Sequence, residues 1–69
     1  MLAVMMAQAI GLELKKAPLP GSVHGIYLHP RGQRPLVLVA DGLDPFERRA
    51  VVEEAAAADR HGERGRIIT

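Results

Sequence analysis

The sequence predicts one small α+β domain: a helix, a small three-stranded, mainly antiparallel sheet, and a second helix, in the order α-β-β-β-α over residues 1–62, with 63–69 as a short C-terminal tail. Three observations carry this reading. Residues 35–40, Pro-Leu-Val-Leu-Val-Ala, are a continuous apolar run of strand length. Asp44-Pro45-Phe46-Glu47 is a capped helix start, with Asp44 at N-cap, Pro45 at the first helical position and Glu47 placed to return the hydrogen bond. A chain of 69 residues is long enough for one core and no more.

Taken in order, residues 1 to about 10 are rich in Ala, Leu and Met, good helix formers, and Gly11 stands where a C-terminal cap belongs. They read as a buried helix. Leu12-Glu13-Leu14-Lys15 alternates apolar and charged residues, the period of a half-buried strand, before Pro18, Pro20 and Gly21-Ser22 turn the chain. Residues 23–29 make a second strand that stops at Pro30-Arg31-Gly32. Residues 35–40 pair with it as a hairpin and form the central strand, buried on both faces, with Pro35 at the first position where a missing donor is tolerated. The Asp44 helix runs to about His61. Ala50, Val51, Ala55 and Ala58 form its apolar face, Arg60 and His61 sit at the negative end of its dipole, and Gly62 ends it. The tail holds Ile67 and Ile68, which fit either a short edge strand or a frayed end.

Composition narrows the function classes. With no cysteine and only Tyr27 and Phe46 as aromatics, the core is short and lacks disulfide support. A homo-oligomer, or burial against a protein partner, is the expected supplement, with Val51, Ala55 and Ala58 as the candidate interface. Nine basic residues face eight acidic ones, and the bases are scattered, unlike a dedicated nucleic-acid surface. The apolar N-terminal run has no preceding Lys or Arg and is far shorter than a membrane span of about 20 residues, so a cytoplasmic protein without membrane association is expected.

The residues that bear chemistry are few. His24 and His29 are an odd number apart on one strand and so face opposite sides. His61 lies seven residues beyond Glu54, about 10.5 Å along a helix, too far to share an ion. No metal site and no cofactor are expected. Glu53, Glu54 and Asp59 read as a solvated helix face, with Arg49 and Glu53 as a weak ion pair. Ser22 and Thr69, the hydroxyl residues besides Tyr27, lie in no nucleophile motif, and the glycines form no phosphate-cradling loop. Lys15, Lys16, Arg31 and Arg34, with Arg64 and Arg66 of the tail, define the alternative function, a small nucleic-acid-associated regulator.

Gly11-Leu12-Glu13-Leu14, Leu19-Pro20-Gly21, His24-Gly25-Ile26-Tyr27-Leu28, Leu36-Val37-Leu38-Val39 and Leu43-Asp44-Pro45-Phe46-Glu47-Arg48-Arg49 together resemble the N-terminal half of the ImmA/IrrE-type metallopeptidases, over about residues 7–54. In that family a helix and a β-hairpin region lead through an L-[ST]-P-x-E-[RQ]-R-type helix start into an H-E-x-x-H zinc motif. The resemblance implies that Glu54, Ala55 and Ala58 stand where the family carries its first His, catalytic Glu and second His. Two of the three have no donor atom, and no third ligand is expected within these 69 residues. The expectation is therefore a non-enzymatic scaffold or interaction protein, with the family's connection to stress or mobile-element regulation as its implied setting.

Overall fold

In the computed structural model, which describes residues 11–69, four strands and one helix follow in the order β1 (Glu13–Ala17), β2 (Gly25–Leu28), β3 (Leu36–Ala40), α1 (Pro45–Arg60) and β4 (Gly65–Ile68). The helix expected over residues 1–10 lies outside the described residues. The strands form one sheet in the spatial order β1-β3-β2-β4. β1 runs parallel to β3, and β2 is antiparallel to both β3 and β4.

This corrects the expected three-stranded, mainly antiparallel sheet between two helices: the described residues hold a four-stranded mixed sheet with a single helix. Two features produce the difference. The tail becomes a true edge strand because Ile68 enters the core beside Gly25 of β2. β1 does not pair with its successor; the Pro18–Pro20 connection carries the chain past the place that β3 fills, so β3 sits between β1 and β2.

The helix forms where its caps dictate. The Glu47 amide donates to Asp44 Oδ1 at 2.8 Å, and the Asp44 amide donates to Glu47 Oε1 at 3.0 Å, a complete capping box. At the other end, the Gly62 amide donates to the Asp59 carbonyl and the Glu63 amide to the Ala58 carbonyl, the paired bonds of a Schellman motif. Gly62 reaches the required left-handed conformation with φ +72°. That turn reverses the chain into β4.

The described helix, α1, packs on one sheet face. Tyr27, Val37, Val39 and Ile68 from the sheet meet Val51, Val52, Ala55 and Ala58 of α1, with Leu12 completing the buried cluster and Leu14 and Leu43 packed against it. Small side chains let α1 approach closely. A Cβ at Gly25 would lie 2.4 Å from Val51 Cγ1 and 3.0 Å from the Leu38 carbonyl oxygen, so β2 needs glycine where the helix crosses it. Ala50, expected on the apolar face, is exposed.

The opposite face differs from expectation as well. Alternation places Ile26, Leu28, Leu36, Leu38, Ala40 and Ile67 there, with Glu13, Lys15 and Ala17 of β1 along one side. Lys15, Leu38, Ile26 and Ile67 form one row across all four strands. β3 was expected to be buried on both faces, but its outward Leu36, Leu38 and Ala40 are only half-buried, and no described element covers them. Leu28 is 38% and Ile67 66% exposed. Among the described residues no helix is long and apolar enough to cross a membrane.

Candidate functional site

The polar groups with defined geometry gather at the end of the sheet where β2 leaves, β4 begins and α1 stops. Tyr27 is the largest fully buried side chain, and its ring lies in the core while its hydroxyl reaches the last turn of α1, donating to Asp59 Oδ1 at 2.7 Å. His29, two residues on and on the same sheet face, brings Nδ1 to 3.6 Å from the same oxygen. That separation is ion-pair distance for a protonated ring and too long for a hydrogen bond. The His29 amide is itself tied to the Arg64 carbonyl at 2.9 Å, which joins β2 to the chain entering β4.

Burial, with the bond to Asp59 and the negative charges of Asp59 and Glu63, pushes the Tyr27 hydroxyl up to about 12, against a smaller opposing effect of Arg64. Tyr27 is thus a hydrogen-bond donor around neutrality. Beside this group lies a second network. Arg66 reaches Glu63 with two hydrogen bonds and stands 3.9 Å from Glu54 Oε2. The Arg66 bonds hold the Glu63 carboxyl below its usual range, and Glu63 in turn raises the Arg66 guanidinium.

An open depression of about 400 Å³, lined by Leu28, His29, Pro30, Arg31 and Arg64, adjoins the Tyr27–Asp59–His29 group. His29 is an imidazole beside a carboxylate but not hydrogen-bonded to it, which is short of half a nucleophile-activating arrangement. The aliphatic hydroxyls are elsewhere: Ser22 precedes β2 and Thr69 follows β4, both at the opposite end of the sheet.

The residues singled out from sequence are only partly brought together. Arg31 and Arg34 share the β2–β3 loop, with Arg34 Nη2 3.5 Å from the Gly11 carbonyl. Lys15 and Lys16 lie along β1 opposite Leu38 and Val39, part-way down the sheet, and Lys15 Nζ is 3.7 Å from Glu13 Oε1. The four do not form one cluster at one sheet end. Val51, Ala55 and Ala58 are buried in the chain's own core, so the close helix contact they make is with the sheet beneath them. Asp59, expected on a solvated helix face, is instead bonded to Tyr27. The bond spans 32 residues, and the one signal for it was a lone tyrosine whose buried hydroxyl needs a partner.

The positions where the ImmA/IrrE resemblance puts a zinc site do not fit the ion. Glu54 is exposed and faces Arg66, while Ala55 and Ala58 present methyl groups to the core with no exposure. Three donors with an open fourth position are what such a centre needs. Among the described residues no three His, Asp or Glu side chains gather in a metal-binding group. Compared with family models, curated proteins and solved structures, the chain matches none of them.

Proposed function

We propose that the chain is a non-enzymatic association module of the cytoplasm, resembling an inactivated ImmA/IrrE-type domain and working in stress or mobile-element regulation by binding a second copy of itself through the sheet face opposite α1. The observation that carries the reading is the apolar surface of Leu38, Ile26 and Ile67 together with Leu36 and Leu28, bordered by Lys15, which no described element covers. Contiguous apolar surface of this kind marks interaction sites.

A second copy suits this face for two reasons. Glu13 and Lys15, of opposite charge and 3.7 Å apart on β1, both border it, so a two-fold arrangement can exchange this pairing between copies. The short core also gains the additional burial that small domains need.

Light scattering on the full chain across micromolar concentrations tests the proposal. The expected mass is that of a dimer, falling to a monomer in Ile67→Glu, whose carboxylate would be buried in the interface. A monomeric mass throughout overturns the reading, and would mean that another segment of the chain or a different protein occupies the face. The nucleic-acid alternative rests on Arg31, Arg34 and Arg64 lying at one sheet end. It requires salt-dependent retention of DNA or RNA in filter binding, and the separation of Lys15 and Lys16 from that end weighs against it.

A further inference from the structure

We propose that the depression at the β2–β4 end binds a small oxyanion, a carboxylate or a phosphate monoester carrying an apolar body, through Arg31, Arg64 and His29. The site shares Leu28 with the open sheet face but none of its polar groups. It rests first on the disposition of charge. Among the described residues Arg48, Arg49 and Arg66 each have a bonded acceptor, and Arg34 has a weaker one at 3.5 Å. Arg31, Arg60 and Arg64 have none among the described residues, and of these three Arg31 and Arg64 line the depression. The carboxylates of the adjoining polar group have partners of their own: Asp59 the Tyr27 hydroxyl, Glu63 the Arg66 guanidinium. Two exposed arginines of the lining are left without a bonded carboxylate.

The second support is the rigidity of the mounting. Arg31 occupies the corner of the Pro30-Arg31-Gly32-Gln33 turn, closed by the Gln33 amide donating to the Pro30 carbonyl at 3.2 Å, with Gly32 at φ +69° as a type II turn requires. Arg64 is fixed by its carbonyl's bond from the His29 amide. The His29 ring has Nδ1 directed at Asp59, which leaves Nε2 on the other side for a ligand. Leu28 and Pro30 supply the apolar part of the wall. Planar guanidinium donors on fixed backbone, flanked by an apolar surface, match an oxyanion with an attached hydrocarbon group.

The test is an amide-resolved NMR titration of the full chain with phenyl phosphate, benzoate and inorganic phosphate at constant ionic strength. Saturable shifts are expected at His29, Arg31 and Arg64 with phenyl phosphate or benzoate, and weaker ones with inorganic phosphate, which lacks the apolar body. Whichever of the first two saturates at lower concentration identifies the preferred headgroup. Arg31→Gln and Arg64→Gln should each weaken binding about fivefold, the scale of one lost charge-assisted bond at a solvated site. Arg60→Gln, an exposed arginine outside the lining, should leave it unchanged. Shifts that fail to saturate with every probe, or an Arg60→Gln effect equal to that of Arg64→Gln, would overturn the proposal in favour of diffuse electrostatics. Unchanged amide positions for Val37, Val39 and Val52 in each variant establish that the fold is intact.

Discussion

The Tyr27 hydroxyl and Asp59 Oδ1 are 2.7 Å apart, and this bond fastens the middle of the sheet to the last turn of α1 across 32 residues of chain. It is also the innermost member of the polar group that adjoins the depression, so the packing of the domain and the layout of its candidate site depend on one contact. Replacing Tyr27 with Phe keeps the buried ring and removes the donor. We expect a loss of about 1 kcal/mol, measured by urea unfolding, because Asp59 keeps access to water and to His29.

The same bond sets a pH dependence. Tyr27 ionises near 10 in the unfolded chain and at about 12 in the folded one. The folded state therefore holds its proton more tightly, and the stabilisation is complete below pH 10 and is lost as pH rises from about 10 towards about 12. Tyr27 is the only tyrosine and there is no tryptophan, so phenolate absorbance reports this one group. A native titration midpoint close to 10 would show that the hydroxyl is not held as described.

Gly25→Ala should destabilise by about 1–3 kcal/mol, the usual cost of overpacking, since the new methyl would meet Val51 Cγ1 at 2.4 Å. Combining it with Val51→Ala should recover only part of the stability of the Val51→Ala parent, because the Leu38 carbonyl at 3.0 Å remains. Full recovery in the double variant would place the restriction in the side chain alone.

Ala58→Val and Ala50→Glu separate the two sides of α1. Ala58 has no exposure, and added methyl groups there should cost about 1–3 kcal/mol. Ala50 is exposed, so a glutamate in its place should change stability by no more than about 0.5 kcal/mol. Equal effects in thermal unfolding would contradict the orientation of the helix.

Asp44→Ala removes one half of the capping box and should cost about 1 kcal/mol, with fraying confined to the first turn of α1 in amide exchange.

What the sequence made legible was local. The helix expected from Asp44 to about His61 is found as Pro45–Arg60, with those two residues as its caps, because capping chemistry is written within four residues of each end. Three strand segments and the β2–β3 hairpin were readable from period and turn residues. The parallel pairing of β1 with β3 was not, since nothing in Glu13–Ala17 distinguishes one neighbour from another at that distance along the chain. The tail's choice of strand depended on Ile68 finding space beside Gly25. Of the site, the arginines were visible as charges, but Lys15 and Lys16 were grouped with them by type, whereas the fold sorts them by strand position. The Tyr27–Asp59 contact belongs wholly to tertiary structure.

The most direct test of association through the open face is an isotope-filtered NOE experiment on a mixture of 13C-methyl-labelled and unlabelled full-length chains. The account predicts intermolecular contacts from Ile26, Leu38 and Ile67 methyls and none from Val37 or Val52. Absence of intermolecular contacts at those isoleucine and leucine methyls in a sample concentrated to millimolar, or their appearance on the α1 side instead, would contradict it.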